Sequence, residues 1–537
     1  MKATVSFFAF TEPPFSIEIH KEERPEFSLG INRIVYRQLN PGGPLQGYIH
    51  EDLEVTWSPN GGGEVKLSFV VHESFMSRYE RSIRITKEIQ VNAEDVGNMA
   101  LEPIITPEYC IAMGMYVPNA AMVSDLPKTI QIYVTVTRNY ENWMGDLFKK
   151  IGTGKTRLQQ LILPGSHDSG MYGNRFPVQI NNVANTQKDD ITTQLKLGAR
   201  FFDFRPGTIS PEFVKFLRHI VDSNTVGAVI DELQEKNVPN LINKGLMLLP
   251  PLYFLGQYVK HTAKDVVKAL ARDFLKGLES DMNFEHHIHA AIPGESMPGF
   301  FIKIGEFLEA HPSEIVTVKI SDAGIIHRFR LPEMNSHPIH IDGKRIDGQE
   351  LELVQVKDKA MIFAEILAFM RRSGVKVGDK SCLNSTVEEL LATNKRLIIL
   401  FQDEMNVLSS YSDDYLSCDA QKIIAGIEET VKKIDKGEHQ KKNLIDLQLQ
   451  LTASGNTPAL IAGIATSVNA NATTSPLMGT KPRTDFAAYP LIYDLVPGYA
   501  NRQGLVTFIN DYCDNGLTAQ VFQANLRAAE MRGIEVE

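Results

Sequence analysis

Over the first 140 residues, apolar and polar positions alternate with a period of two. The alternation is plain in Phe15-Ser16-Ile17-Glu18-Ile19, Leu53-Glu54-Val55-Thr56-Trp57, Val65-Lys66-Leu67-Ser68-Phe69, Ser82-Ile83-Arg84-Ile85 and Ile130-Gln131-Ile132-Tyr133-Val134. A strand with this pattern has one face for a core and one for water. Ser58-Pro59-Asn60-Gly61-Gly62-Gly63 lies between the second and third of these runs and reads as a hairpin connection. Helical signal is slight, so residues 1–140 are predicted to form a β-sandwich.

After Asn139 the period changes. Trp143 to Ile151 has the spacing of a short helix, within a linker spanning 141–157. From Leu158 onward, apolar strand runs alternate with amphipathic stretches. The runs are Leu158–Leu163, Ala199–Phe204, His287–Ala291, Ile315–Ile320, Leu397–Phe401, Leu444–Leu451 and Leu505–Ile509, and the helical stretches include 300–310 and 420–433. This alternation predicts an α/β fold, a distorted TIM-like (β/α) barrel over 158–537, closed by a helix from Thr518 to Arg532. A helical insertion at about 207–284 interrupts it. So does a segment, 455–484, rich in Ala, Ser, Thr, Asn and Gly.

The chain has 537 residues and a formal net charge of -10, which argues against a nucleic-acid partner. Its four cysteines, Cys110, Cys382, Cys418 and Cys513, are scattered and show neither CxxC nor zinc-ligand spacing, so they read as reduced thiols. The apolar stretch Val5–Phe10 is cut short by Glu12-Pro13-Pro14 and reads as a first strand, not as a cleavable signal peptide. No apolar run has the length of a membrane span. These features predict a soluble protein, cytoplasmic or exported by a route that reads no such peptide.

Two motifs carry chemistry. In Leu163-Pro164-Gly165-Ser166-His167-Asp168-Ser169-Gly170 a strand is predicted to end in a Pro-Gly turn before a His-Asp pair. Gly198-Ala199-Arg200-Phe201-Phe202-Asp203-Phe204-Arg205 is an apolar strand ending in Asp-x-Arg. Strand ends of this kind are where barrel enzymes place their catalytic side chains. A histidine that takes a proton, beside an arginine that holds a phosphate, suits phosphodiester chemistry. Taken singly, His167 reads as a hydrogen-bonded turn histidine, Arg205 as the salt-bridge partner of Asp203, and Asp511 as a cap. Gly152-Thr153-Gly154-Lys155-Thr156 reads as a hinge, because a Walker loop needs a glycine where Lys149 stands and a strand where this chain has a helix.

From Leu158 to about Ala529, the insertion aside, the chain resembles the bacterial phosphatidylinositol-specific phospholipase C family. The resemblance rests on the two motifs, on Phe307-Leu308-Glu309-Ala310-His311-Pro312-Ser313-Glu314, and on Val506-Thr507-Phe508-Ile509-Asn510-Asp511-Tyr512, in the same chain order. It implies attack of an inositol 2-hydroxyl on its own 1-phosphate, releasing diacylglycerol and a cyclic inositol phosphate. It further implies His167 as general base, Asp511 as its partner, Arg205 on the phosphate, and His289 as general acid assisted by Asp168. His287 is the alternative acid, since the two histidines share a strand face.

The calcium-dependent relatives have an amide after the first histidine and paired acids in the second strand. Asp168 and Arg205 stand there in this chain, so the resemblance implies no metal and no cofactor. Ser412-Asp413-Asp414-Tyr415 resembles the family's Asp-x-Tyr, which implies that Asp413 and Tyr415 contact the inositol ring. Lys319 lies two positions before the place of an expected lysine, Ser321, and an expected arginine falls near Gln402-Asp403. The head-group pocket therefore departs from the family's. The expected partner is a phospholipid membrane surface met peripherally, with a protein partner assigned to the β domain. The alternatives are a related phosphodiesterase on another head group or a glycosylated inositol lipid, and a catalytically silent binding protein.

Overall fold

In the computed structural model the described residues are 2–12, 15–23, 32–35, 47–56, 65–74, 80–86, 102–116, 129–172, 185–222, 275–276, 284–289, 292–331, 333, 338–411, 419–450, 476–500 and 504–536. The N-terminal strands are β1 (Lys2–Thr11), β2 (Phe15–Glu23), β3 (Asn32–Val35), β4 (Gly47–Thr56), β5 (Val65–Ser74), β6 (Glu80–Thr86), β7 (Ile104–Ile105), β8 (Tyr109–Tyr116) and β9 (Ile130–Arg138). They form two sheets, β4-β1-β9-β8-β7 and β3-β2-β5-β6. The pairing corrects the hairpin expected between β4 and β5. Strand β4 is taken up by β1 in an antiparallel ladder from Lys2↔Thr56 to Thr11↔Gly47, while β5 pairs with β2. Alternation specifies which face of a strand is apolar, not which strand lies beside it. The expected 58–63 connection is outside the described residues.

Next come α1 (Trp143–Ile151), β10 (Ile162–Ser166), α2 (Ile191–Lys196), β11 (Phe201–Phe204), β12 (Pro206–Ile209) and α3 (Pro211–Asp222). The chain continues with β13 (His286–His289), β14 (Ile292–Ser296), α4 (Met297–Ala310) and β15 (Val316–Ile320). Short strands follow: β16 (Arg328–Arg330), β17 (His340–Ile341), β18 (Lys344–Arg345), β19 (Glu350–Glu352) and β20 (Val354–Gln355). Then come α5 (Lys359–Met370), β21 (Lys376–Gly378), α6 (Val387–Ala392), β22 (Lys395–Phe401), β23 (Val407–Ser409), α7 (Ala420–Asp435) and β24 (Leu444–Gln448). The described chain ends with α8 (Pro476–Asp494), α9 (Val496–Tyr499), β25 (Leu505–Asn510) and α10 (Asn515–Met531).

Eight of these strands form one parallel sheet in the order β21-β22-β15-β11-β10-β25-β24-β23, a curled, distorted TIM-like barrel. Two sequence expectations are corrected. The strand predicted at Leu158–Leu163 begins later: Leu158–Gln160 is a turn of 3₁₀ helix, and Pro164 and Gly165 lie inside β10. Gly165 is needed there, because a Cβ would stand 3.0 Å from Ile509 Cγ1 and 3.2 Å from the Phe508 carbonyl on the neighbouring strand. The run His287–Ala291 is not a barrel strand. Its described part, β13, is the middle of an antiparallel β14-β13-β12-β20 sheet beside the barrel mouth.

The N-terminal sheet and the barrel share one core. Phe10, Tyr140, Trp143 and Leu147 cluster with barrel residues Leu163, Phe201, Ile398 and Phe522. Helix α10 packs against both β9 and β10. A fully buried ion pair pins α1 to the barrel: Arg200 Nε donates to Glu314 Oε2 at 2.8 Å, and Glu314 Oε1 accepts from the Gly145 amide at 2.9 Å. Among the described residues, no helix is long and apolar enough to cross a membrane.

Candidate active site

Neighbouring parallel strands bring the motif residues to one place. In the ladder, Ser166 of β10 pairs with Asn510 of β25 on one side and Phe202 of β11 on the other. The next residues, His167 and Asp511, therefore leave the sheet side by side at its C-terminal edge, with Asp203 and Arg205 just past Phe202. His167 Nδ1 lies 2.8 Å from Asp511 Oδ1. Its Nε2 lies 3.3 Å from Arg205 Nη2 and 3.5 Å from Asp168 Oδ2. An ionised carboxylate only accepts, so the imidazole carries its proton on Nδ1 and keeps a lone pair on Nε2.

Asp168 is the hub. Fully buried, with φ of 41°, it sits in the left-handed region that non-glycine residues rarely adopt. The turn is locked from within. Ser169 Oγ donates to the Ser166 carbonyl at 2.8 Å and accepts from the Asp203 amide at 2.9 Å. Gly170 lets this turn close onto β13, because a Cβ there would lie 2.5 Å from that of His287. Asp168 Oδ1 meets Arg205 Nε at 2.8 Å and His287 Nε2 at 3.3 Å, while Oδ2 meets His289 Nδ1 at 2.6 Å.

Geometry separates the two histidines that the sequence leaves open. His287 is fully buried and both its nitrogens are engaged, Nε2 by Asp168 and Nδ1 by the Arg205 backbone amide at 3.3 Å. Burial lowers its pKa, so it is a neutral donor to Asp168. The His289 side chain is 32% exposed, with Nδ1 on Asp168. Its Nε2 is left for whatever enters the mouth.

Arg205 is both salt-bridged and presented. Its Nη2 and Nε donate to Asp203 Oδ2 at 2.9 and 3.2 Å, yet Nη2 also reaches His167. The structural pairing with Asp203 thus aims the guanidinium instead of competing with the site. On the far side of Asp203, Lys319 Nζ lies 3.2 Å from Oδ1 and 3.7 Å from Asp446 Oδ2. Lys319 therefore lies one step behind Arg205, across Asp203. Asp413 and Tyr415 lie outside the described residues.

The charges shift one another. Burial alone would lower the His167 pKa, but the carboxylates of Asp168 and Asp511 outweigh it and hold it above the ordinary value. Burial pushes Asp168 up, yet Arg205 and the two histidines His167 and His289 hold it well below the usual carboxylate range. Asp203 is likewise lowered, by Lys319 and Arg205 against burial. Asp511 and Asp446 are raised, burial being the dominant cause in each.

Three of these groups, His167, Asp168 and Asp203, each bring a ligand atom within 4.8 Å of the others, the kind of cluster that holds a metal ion. The Arg205 guanidinium contacts all three. The sequence offered His287 only as the alternative acid and passed over Asp446 as a site residue. Asp446 has a signal: it is the lone acid within Leu444-Ile445-Asp446-Leu447, an otherwise apolar buried strand.

No family model matches the chain. The chain is 42% identical over 71 residues to a 1-phosphatidylinositol phosphodiesterase of Staphylococcus aureus, covering 13% of this chain and 21% of that protein. It is 28% identical over 124 residues to a PI-PLC X domain-containing protein of Dictyostelium discoideum, covering 20% and 21%. Over these segments the chain is similar to phosphatidylinositol phosphodiesterases. It spans about a fifth of the length of the curated relatives it matches. The chain also aligns with the solved phosphatidylinositol-specific phospholipase C of S. aureus at 16% identity and a TM-score of 0.36, covering 72% of this chain and 97% of that one. With the enzyme of Listeria monocytogenes the values are 12%, 0.36, 72% and 98%.

Proposed function

We propose that the chain is a metal-independent phospholipase C of the phosphatidylinositol type. The proposal rests on one observation: His167 is held between Asp511 on Nδ1 and Arg205 on Nε2, while Asp168 binds Arg205, His287 and His289 at once. That arrangement supplies a base, a cation and an acid around one small space. The local sequence similarity to phosphatidylinositol phosphodiesterases supports the choice of substrate.

In this reading the inositol 2-hydroxyl oxygen attacks the 1-phosphorus while His167 Nε2 takes its proton. Asp511 stabilises the imidazolium that forms and keeps its proton on Nδ1. The Arg205 guanidinium, aimed by Asp203 and Asp168, offsets charge on the non-bridging phosphate oxygens. His289, with Nδ1–H on Asp168, donates from Nε2 to the glycerol oxygen as the P–O bond breaks. Diacylglycerol leaves, and the inositol keeps a cyclic phosphate. Base and acid each contribute on the order of 10²–10⁴-fold.

Metal independence follows from the donor set. A divalent ion seated on His167, Asp168 and Asp203 would have to displace a guanidinium that already bridges the two carboxylates. The substrate places the enzyme at a lipid surface, bound peripherally. The test is a cleavage screen over vesicles of phosphatidylinositol, phosphatidylcholine and phosphatidylglycerol, with products read by phosphorus NMR. A cyclic phosphate from phosphatidylinositol alone is expected. An acyclic first product, or no cleavage of any inositol lipid, would overturn the proposal.

A further inference from the structure

The turn between β25 and α10 carries Asp511 and is held from two sides: from the barrel, where the Tyr512 amide donates to the Thr186 carbonyl at 2.7 Å and the Cys513 amide to Gln187 Oε1 at 2.9 Å, and from the N-terminal sheet. Tyr512 adopts φ of 49°, a left-handed conformation that sends its side chain away from Asp511. That ring packs with Phe8, Tyr116 and Tyr133 of the N-terminal sheet and with Met478. Its hydroxyl donates to the Asn185 carbonyl at 2.7 Å. Asp514 caps α10 through the Leu517 amide and meets Lys481 Nζ at 2.9 Å, and Lys481 lies over the Tyr133 ring at 5.3 Å from its centroid.

Asn515, fully buried, closes the turn onto the sheet. Its Nδ2 donates to the Cys110 carbonyl at 2.9 Å and to Thr137 Oγ1 at 2.8 Å, and its Oδ1 accepts from Thr135 Oγ1 at 2.6 Å. Such a side chain, satisfied on both amide atoms by strands β8 and β9, fixes position where a lone apolar contact would slide.

We propose that the N-terminal sheet is a positioning element of the catalytic centre: Thr135, through Asn515, holds the turn that sets Asp511 against His167. The sheet therefore does more than await a partner; it completes the acid–base geometry from behind. The inference rests on the proposed reading of His167 and Asp511 as the proton-transfer pair. Catalytic geometry tolerates little slack, and a displacement of ~1 Å costs on the order of 10²-fold. The charged groups facing His167 are Asp168, Asp511, Arg205 and, within 4.8 Å, Asp203; of these only Asp511 sits on this turn, so its withdrawal is what loosening the turn would bring.

The experiment uses the full chain and Thr135→Val, which keeps the shape and removes the donor. Two readouts are taken: the His167 imidazole titration by NMR, assigned with His167→Gln, and the split of turnover into kcat and KM. Thr135→Val should lower the His167 midpoint and reduce kcat by about tenfold or more with KM nearly unchanged. Thr135→Ser, which restores the hydroxyl, should recover both. Should Thr135→Val not fold, Thr137→Val loosens the same amide from its other side. Phe15→Leu, in the second sheet against Tyr109, is the control for general destabilisation. An unchanged midpoint in the valine variant, or an equal shift in Phe15→Leu, would overturn the proposal. If the wild type cleaves no phosphodiester, the functional reading fails while the midpoint still tests the coupling.

Discussion

Asp511→Asn exposes the reasoning most directly. Asp511 is 4% exposed and its carboxylate oxygen lies 2.8 Å from His167 Nδ1. At an effective dielectric of ~20, a full charge pair at that separation attracts by about 6 kcal/mol before desolvation is counted. The amide removes that charge. It also turns an NH₂ toward Nδ1, so the imidazole proton moves to Nε2, where it confronts the Arg205 guanidinium as donor against donor. The base is then lost in its useful tautomer, and kcat should fall by on the order of 10²–10⁴-fold.

The pH profile adds a second, independent sign. Asp511 is one of the two carboxylates that raise the His167 pKa against burial. The active form is neutral His167, so the wild-type acid limb of kcat/KM lies above the ordinary ~6.5. The variant's limb should move to lower pH, because one of the two raising charges is gone and burial remains. Initial-rate assays on a soluble inositol phosphodiester, from acidic to mildly alkaline pH, read both effects. Activity within about threefold of wild type with an unmoved acid limb would refute the assignment of the pair.

Three further outcomes are expected. His289→Gln should slow cleavage of a lipid substrate by on the order of 10²-fold or more and recover with a nitrophenol leaving group that needs no proton; His287→Gln should show no such leaving-group dependence, and the reverse pattern would exchange their roles. Exhaustive chelation should leave turnover unchanged, and loss that added calcium restores would show that a metal, not Arg205, carries the phosphate charge. Glu314→Ala leaves Arg200 buried without its counter-ion and should cost about 3–5 kcal/mol by urea unfolding, whereas a change below ~1 kcal/mol would mean that the carbonyls of Glu141, Leu195 and Ala199 suffice to hold the guanidinium.

Much of the molecule was legible in the order of residues. Periodicity located α1 at Trp143–Ile151 and six of the eight strands of the parallel sheet to within a few residues, missing the short β21 and β23, because local sterics and the burial of one face are encoded within single segments. His167, Asp168 and Arg205 were picked out by residue type at strand ends, and Asp511 through the family resemblance. Lys319 was picked out as a neighbour of an expected lysine. What periodicity could not carry was partnership. It made β4 and β5 a hairpin although each is claimed by a strand far off in the chain, and it put β13 in the barrel although its ladder is antiparallel. It also made a turn of Pro164-Gly165, which the crowding of Ile509 turns into strand.

Tertiary structure alone decided which of two same-face histidines keeps a nitrogen open, that Arg205 spans three acceptors, and that Thr135 and Asn515, 380 positions apart, meet at 2.6 Å behind Asp511. The sequence by itself determined the segments and the reactive groups, since those depend on neighbours a few bonds away. Their protonation states and aim depend on charges and walls brought in from distant strands, and that information exists only once the chain has closed on itself.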